Sequence, residues 1–230
     1  MALTVLYEDN HLIAVFKPAG VLVQGDKTGD ATLMDEVKYY LKQKYHKTGK
    51  VFLGLIHRLD RPVAGVVLFA KTSKGASRLS EQFRNHTVEK IYEALVEGVP
   101  PQGQGQLVHF LKKDKEGNVT TVYDNFVPGS QRAELQYEVL DEKMVGPVGN
   151  TPQARSLLRI KLGTGRSHQI RAQLAKIGCP IVGDVKYGAS SALEDKAIAL
   201  TAASLIFDTA TGEKRVTVRV DSFLDKAFTP

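Results

Sequence analysis

Apolar and polar residues alternate along several short segments of the chain, a pattern typical of β-strands with one buried face. The alternation is strict over residues 133–139 and again over 158–162. A short apolar run at 66–70 predicts a buried strand. Further strands are predicted at residues 3–8, 12–17 and 90–97, and a C-terminal hairpin is predicted within 204–220.

Apolar residues recur at helical spacing in three places. The first predicted helix covers residues 32–45, with Thr32 near its start, and the second covers about 73–83. The third begins near Ile170. Residues 100–130 are rich in glycine, proline and polar side chains, which predicts loops around weak strands.

Strands therefore outnumber helices, and the helices interrupt them irregularly. Regular alternation of strand and helix is absent from the pattern, which argues against a doubly wound or barrel α/β fold. The pattern predicts an α+β fold: a mixed, mostly antiparallel sheet with flanking helices. We expect a single domain over residues 1–230.

The bulk composition narrows the class of protein. The net charge of +6 and the pI of about 9.3 favour a polyanionic partner without establishing one. Cys179 is the one cysteine, so the chain has neither an intrachain disulfide nor a cysteine zinc site. The sequence has no apolar run long enough for a membrane span and no secretory signal. We therefore expect a cytoplasmic protein, a monomer by default, with no metal site.

Charged residues crowd into residues 57–62, His-Arg-Leu-Asp-Arg-Pro. In an extended segment Arg58 and Asp60 project to the same side. The neighbouring guanidiniums of Arg58 and Arg61 favour the ionised carboxylate. This is the state that a nucleophile or general base needs, although a surface ion pair would have the same pattern.

A strand runs into a Gly-x-Gly turn at residues 163–165, and a helix follows. Ser167 is predicted to cap that helix. Arg171 lies beside the buried face of the helix, so its charge needs an anionic partner, for which Asp60 is a candidate. Arg166 precedes the helix and is a candidate phosphate contact. A glycine turn followed by a solvated arginine remains the alternative.

Tyr92 shares one strand face with Ala94 and Val96. An isolated tyrosine in this setting is usually a core aromatic. The functional alternative is that its ring stacks on a nucleobase.

Taken together, these motifs resemble the RluA-type family of pseudouridine synthases. The resemblance rests on the order and spacing of residues 17–20, 57–61, 65–71, 90–94, 165–171 and 178–187. It extends from about residue 3 to residue 219, nearly the whole chain.

The resemblance implies a single catalytic domain with a cleft across its sheet, acting on RNA, either ribosomal or transfer RNA. It implies that Asp60 is the catalytic carboxylate, that Tyr92 packs against the target base and that Arg171 pairs with Asp60. Arg58 is similar to a residue that fills the gap left by a flipped base. The residues predicted to contact the substrate are Arg58, Arg61, Arg166, His168 and Gln169.

The chain departs from the usual family pattern at three positions. Ala64 replaces a serine, and Gln173 and Gln24 replace histidines. These departures concern the choice of substrate rather than the reaction. The chain also starts at the catalytic domain, so we expect no N-terminal RNA-binding appendage.

The chemistry of the implied reaction needs no cofactor. The N1–C1′ bond of uridine breaks, the uracil turns, and a C5–C1′ bond forms. A carboxylate can attack C1′, add to C6 or remove the C2′ proton, and the sequence does not choose among these roles. The base must leave its stack to reach Asp60.

Two other functions remain open at this stage. The first is a non-catalytic RNA-binding protein on the same fold. The second is a carboxylate-based hydrolase such as a retaining glycosidase, which needs a second carboxyl group about 5 Å from the first. Asp184 is the nearest candidate for that second group.

Overall fold

The structure is a computed structural model that describes residues 3–26, 28–114, 116–148 and 151–221. The described residues form three helices, α1 (Leu33–Lys44), α2 (Ser73–Arg84) and α3 (Gln169–Lys176). They also form strands β1 (Val5–Glu8), β2 (Leu12–Lys17), β3 (Gly54–Leu55), β4 (Ala64–Ala70), β5 (Glu89–Glu97), β6 (Gln104–Asp114), β7 (Val119–Tyr123), β8 (Gln131–Val148), β9 (Thr151–Leu162), β10 (Leu200–Asp208) and β11 (Arg215–Arg219). The predicted α+β class is confirmed.

The described residues divide into two compact units. The first unit contains residues 3–89 together with Ala202–Asp221, and the second contains Lys90–Thr201. The single-domain organisation expected from the sequence, and the cleft implied by the resemblance, stay predictions.

The first unit is built on antiparallel strands in the order β1-β2-β4, with β10 beside β4 and β11 on β10. Alternate residues of β2 and β4, among them Leu12 and Leu68, pack with Phe207 into one apolar core. Gly65 has a φ of +128°, and a Cβ there would lie 2.4 Å from the carbonyl oxygen of Ala202. Glycine at this position therefore allows β4 and β10 to approach closely.

Both helices of the first unit begin at a threonine. The Thr32 hydroxyl accepts a hydrogen bond from the Asp35 backbone N–H, and the Asp35 carboxylate accepts one from the Thr32 N–H. This reciprocal pair is a capping box. Thr72 accepts from the Gly75 N–H in the same way. The predicted start of α1 at Thr32 is confirmed.

The second unit has antiparallel strands in the order β5-β9-β8-β6-β7. The expectation that residues 100–130 form loops around weak strands is wrong, because this region contains the eleven-residue strand β6. The backbone of β6 pairs with β8 from Gln104 opposite Glu138 to Leu111 opposite Gln131. Its side chains are mostly exposed, so the apolar pattern that marks the other strands is weak here.

Helix α3 packs against β6 and β7. It begins at Gln169, preceded by His168 in the left-handed region with a φ of 51° and no side-chain cap. The prediction that Ser167 caps this helix is therefore wrong. In this turn the Gln169 side chain accepts a hydrogen bond from the Arg166 N–H, which holds the turn before the helix.

Among the described residues, no helix is both long enough and apolar enough to cross a lipid bilayer.

Candidate active site

The segment that carries Asp60 is a turn that hydrogen-bonds to the loop after β2. The Val63 N–H donates to the Asp60 carbonyl oxygen at 3.1 Å, and the Gly20 N–H donates to the Arg61 carbonyl oxygen at 2.8 Å. Gly20 has a φ of +83°, a conformation that glycine adopts without strain. The motif at 17–20 thus lies directly against the motif at 57–62.

Lys17 connects these two motifs through its ammonium group. The side chain is fully buried, and its Nζ donates to the carbonyl oxygens of Pro18 at 3.0 Å, Val21 at 2.8 Å and Arg61 at 3.1 Å. The three donors of a lysine are therefore all used. Sequence reasoning did not select Lys17, although a lysine that ends an otherwise apolar strand is a visible signal.

The pKa of Lys17 depends on its burial and on the charges around it. Burial lowers the pKa of Lys17 to about 7, the negative charge of Asp60 opposes this change, and the positive charge of Arg61 adds to it. Asp60 itself is partly buried. Its carboxylate is thus near enough to the buried ammonium to stabilise the protonated form.

The two arginines of this motif have different surroundings. Arg58 is exposed. Arg61 forms an ion pair with Asp30, with 2.8 Å between Nη2 and Oδ2, and its Nε donates to the Gly20 carbonyl oxygen at 2.9 Å. The guanidinium of Arg61, the residue after Asp60, is therefore held by contacts with Gly20 and Asp30.

In the second unit, Arg171 and Asp184 form a buried ion pair. Arg171 Nε lies 2.6 Å from Asp184 Oδ2, and Nη2 lies 2.8 Å from Oδ1. Arg171 is 6% exposed and Asp184 is 2% exposed. This bidentate geometry fixes the plane of the guanidinium. Asp184 is thus an anionic partner of Arg171 that sequence reasoning did not assign, and the pairing of Arg171 with Asp60 stays a prediction.

Tyr187 supports the same arginine from its ring face. The Arg171 Cζ atom lies 5.0 Å from the centre of the Tyr187 ring, within cation–π distance. The Tyr187 hydroxyl accepts from the Thr120 N–H at 2.8 Å and lies 2.8 Å from His168 Nδ1. Burial raises the pKa of Tyr187, so its hydroxyl stays protonated at neutral pH.

The two polar residues before Arg171 are engaged inside the second unit. Gln169 accepts from the Thr164 hydroxyl at 2.7 Å and from the Arg166 N–H at 3.0 Å, and it donates to the Glu134 carbonyl oxygen at 3.0 Å. His168 and Gln169 are both more than nine-tenths buried. These contacts give the two side chains a structural role, and they lend no support to substrate binding by either.

Arg166 is different because its side chain is exposed. Its Nε donates to the Arg132 carbonyl oxygen at 3.1 Å. The predicted contact of Arg166 with an RNA phosphate is compatible with this exposure.

Tyr92 lies on β5 opposite Ile160 and is 9% exposed. Its neighbours on the same face, Ala94 and Val96, are fully buried. Two residues earlier, burial lowers the pKa of Lys90, whose Nζ lies 4.0 Å from the position of a Cβ on Gly165. The Lys-x-Tyr motif therefore runs beside the glycine turn that leads to Arg171.

Five basic residues lie around α2 and are of the type that contacts phosphates, namely Lys71, Lys74, Arg78, Arg84 and Lys90. Some of them are engaged elsewhere. Lys71 forms a 2.5 Å ion pair with Glu8. Arg78 lies 3.6 Å from Glu81 on the same helix. Lys74 and Arg84 are exposed, so of this group they remain candidate contacts.

Comparison with known proteins places these motifs in a family. A family model described as RNA pseudouridylate synthase matches residues 11–176, which include Asp60, Tyr92 and Arg171. The chain belongs to the RNA pseudouridylate synthase family.

Family members of known name are similar over most of this chain. A tRNA pseudouridine synthase C of Haemophilus ducreyi is 37% identical over 197 residues, which cover 82% of this chain and 75% of that protein. A tRNA pseudouridine synthase C of Pectobacterium carotovorum is 34% identical over 81% of this chain, and a ribosomal large subunit pseudouridine synthase D of Zymomonas mobilis is 32% identical over 82%. The chain spans 48% and 56% of the length of these last two relatives.

Solved structures in the family share the fold. The human RNA pseudouridylate synthase domain containing 4 superposes with a TM-score of 0.76 at 23% identity, covering 95% of this chain and 88% of its own. The human domain containing 1 protein superposes with a TM-score of 0.73 at 23% identity, covering 96% and 83%.

One departure from the family pattern has a structural account. Gln173 is fully buried, and its Nε2 lies 3.3 Å from the Leu107 carbonyl oxygen and 3.0 Å from His109 Nδ1. This side chain therefore joins α3 to β6 inside the second unit.

Proposed function

We propose that this protein isomerises uridine to pseudouridine in transfer or ribosomal RNA, with Asp60 as the catalytic carboxylate. The observation that carries the proposal is the match of the family model across residues 11–176, with Asp60 in a turn held by Lys17 and Gly20. The two classes of RNA come from the names of the relatives, which are enzymes of tRNA and of the large ribosomal subunit.

The reaction breaks and forms one bond within a single nucleoside. The N1–C1′ bond breaks, the C5–C1′ bond forms, and the proton on C5 is replaced by one on N1. Asp60 takes part as an ionised carboxylate, by attack on C1′, by addition to C6 or by removal of the C2′ proton.

The neighbouring residues have distinct roles in the proposal. The target base leaves its stack at a cost of about a few kcal/mol, and the exposed guanidinium of Arg58 takes its place in the RNA. Tyr92 packs against the extruded uracil. Arg171, as the resemblance to the family implies, pairs with Asp60. Arg61 and Arg166 contact the RNA backbone.

The buried pair in the second unit argues against a retaining glycosidase. Such an enzyme needs a second carboxyl group free to act on the sugar. Asp184, the nearest candidate in the sequence, is 2% exposed, and both of its oxygens accept hydrogen bonds from Arg171. Its carboxylate serves to orient the arginine.

The test is the variant Asp60→Asn, which keeps the shape of the side chain and removes its charge. We expect pseudouridine formation on tRNA and rRNA transcripts to fall at least about a hundredfold, because the carboxylate takes part in bond making or proton transfer. RNA binding should be retained. Nucleosides from digested RNA, separated by chromatography, provide the measurement.

The control is Asp30→Asn, which removes the carboxylate that anchors Arg61. This variant should keep measurable turnover. Full activity of Asp60→Asn would remove Asp60 from the mechanism. If the unaltered protein binds RNA and leaves every uridine unchanged, the protein is a non-catalytic RNA binder; free uracil would indicate a hydrolase.

A further inference from the structure

The excess positive charge of this chain is concentrated in one short stretch. Residues 38–50, here named the basic segment, contain five lysines and neither aspartate nor glutamate. The whole chain has 31 basic and 25 acidic residues, so outside the basic segment 26 basic residues face 25 acidic ones. The net charge of +6 therefore originates almost entirely from this segment.

The basic segment begins on the outer face of α1 and continues into the loop after it. The buried face of the helix is formed by Leu33, Val37 and Leu41, whereas every residue from 42 to 50 is exposed. Tyr39, on the outer face of the helix, has 67% of its surface exposed, and Phe52 has 51% exposed just after the segment. Large aromatic rings this accessible beside lysines are typical of surfaces that stack on bases.

The lysines and Tyr39 surround a shallow hollow. Its volume is about 430 Å³, and its lining consists of Lys38, Tyr39, Lys42, Thr48, Gly49, Lys50 and Val51. This volume lies within the range of roughly 300–1,000 Å³ of small-ligand sites, so it accommodates a base and its sugar. The lining joins three ammonium groups to one aromatic ring.

The end of α1, next to the hollow, is held by the carboxylate of Glu8, which is partly buried. Glu8 Oε2 accepts from Lys44 Nζ, and Oε1 accepts from the Tyr45 hydroxyl, each at 2.7 Å; Oε1 also accepts from Lys71. Burial would raise the pKa of Glu8, but the hydrogen bonds from Lys44, Lys71 and Tyr45 outweigh it and lower the pKa to about 2. The end of α1 is thus tied to β1, which fixes the position of the helix that carries Lys38, Tyr39 and Lys42.

The lysines that line the hollow have no such partner. Within the part of the chain that the structure describes, Lys38, Lys42 and Lys50 form no ion pair, in contrast to Lys44. Interaction with the negative end of the helix dipole accounts for a cation in the last turn, such as Lys42. It does not account for Lys38, in the middle of the helix, or for Lys50, beyond its end.

Helix α1 leads from the Asp60 segment to this hollow. The Leu33 and Met34 N–H groups donate to the carbonyl oxygens of Leu22 and Val23, directly after the loop that Lys17 holds. With a rise of about 1.5 Å per residue, Lys38 and Lys42 lie roughly 8–14 Å further along the helix axis. The hollow and Asp60 therefore belong to the same compact unit, and α1 joins the two regions of the chain.

We propose that the basic segment is a second RNA-binding site, in which Lys38, Lys42 and Lys50 contact phosphates and Tyr39 stacks on an unpaired base. The site holds a single-stranded part of the substrate next to the target nucleotide. That the ligand is RNA rests on the proposed function. The charge and the geometry of the basic segment are observed independently of that function.

The first experiment measures binding of a fluorescein-labelled oligouridylate by anisotropy at several salt concentrations. We expect the triple variant Lys38→Ala, Lys42→Ala, Lys50→Ala to bind at least about tenfold more weakly. The slope of log Kd against log salt should fall by about 2, because three single-strand phosphate contacts each contribute roughly 0.7.

The matched control removes three exposed lysines elsewhere, in the variant Lys112→Ala, Lys113→Ala, Lys214→Ala. It has the same net charge and should bind within about twofold of the unaltered protein. Equal weakening in both triple variants would overturn the proposal, because bulk charge would then explain the affinity. Unchanged binding by the first triple variant would overturn it as well.

The stacking contact has its own test. Tyr39→Ala should weaken oligouridylate binding about fivefold or more, and Tyr39→Phe should restore it, since stacking needs the ring and not the hydroxyl. Tyr39 is exposed, so both variants should keep the thermal stability of the unaltered protein. Equal binding by all three proteins would exclude the aromatic part of the site.

Two further readouts separate this proposal from its neighbours. The first readout is turnover on tRNA or rRNA, for which the first triple variant should keep its turnover number and show a raised KM. If RNA treated with the unaltered protein contains no pseudouridine, the proposed function is contradicted. The anisotropy result would still decide whether the basic segment binds RNA. The second readout is co-sedimentation with phosphatidylserine vesicles, which tests whether the basic segment binds an anionic membrane instead of RNA. Vesicle binding that needs the three lysines, with RNA binding unaffected, would overturn the proposal.

Discussion

A single buried ammonium group organises the residues around Asp60. Lys17 donates to the backbone of its own loop and to that of the Asp60 turn, and Asp60 and Arg61 influence its charge in opposite directions. A lysine buried in this way titrates near neutral pH, which makes its environment measurable in solution.

The pKa of Lys17 is about 7 in the folded protein, against 10.5 ordinarily. Between these two values the unfolded chain binds the extra proton and the folded chain does not, so raising the pH favours folding. We expect the free energy of unfolding to rise from pH 7 to pH 10 by up to about 1.4 kcal/mol per pH unit from this group. Urea denaturation at several pH values measures the rise.

The variants make this prediction specific. In Lys17→Met the rise should be absent. In Asp60→Asn the rise should begin below pH 7, because loss of the carboxylate charge lowers the pKa of Lys17 further. Identical pH dependence in the three proteins would show that Lys17 does not titrate in this range.

The buried ion pair of Arg171 and Asp184 leads to a second prediction at the residue scale. Asp184→Asn should lower the free energy of unfolding by about 3 kcal/mol, because Arg171 is left buried with no neutralising charge from that side. The same change at Asp208, whose partner Arg215 is exposed, should cost less than about 1 kcal/mol. Comparable losses in the two variants, measured in urea, would contradict the assignment.

At the scale of elements, the start of α1 fixes the position of the helix. The helix connects the loop held by Lys17 to the basic segment, so its first turn determines the position of the basic segment relative to that loop. That turn is closed by the capping box of Thr32 and Asp35.

We expect Thr32→Ala to lower the free energy of unfolding by about 1 kcal/mol, since a backbone N–H loses its acceptor. Thr32→Ser removes the same methyl group and keeps the hydroxyl, and it should recover most of the loss. Chemical denaturation compares the two variants. Equal stability of the alanine and serine variants would show that the hydroxyl contributes nothing.

Strand β6 shows why an element escapes sequence analysis. It pairs with β8 over eight residue pairs, yet five of its eleven residues are polar and exposed and only one is buried. Backbone hydrogen bonds to a strand about thirty residues away stabilise it, and these leave no alternating apolar pattern in its own sequence. The strands at 133–139 and 158–162 were predictable because their alternate residues are buried.

At the scale of the whole molecule, the proposed reaction needs no second substrate. Bonds break and form within one nucleoside, without a redox step or a transferred phosphate. We therefore expect the protein dialysed against EDTA to keep its rate within about twofold, on a stem-loop RNA that folds in sodium chloride alone. Loss of activity that a stoichiometric divalent ion restores would contradict this.

The sequence by itself determined the α+β class, the strands with alternating burial, the three helices and the motifs that identify the family. These depend on local spacing and on residue type, which one chain displays directly. The tertiary structure decided that Lys17 holds the Asp60 turn, that Asp184 neutralises Arg171 and that residues 38–50 carry an open hollow. Hydrogen bonds, ion pairs and exposure join residues far apart in the chain, and no local pattern records which of them meet.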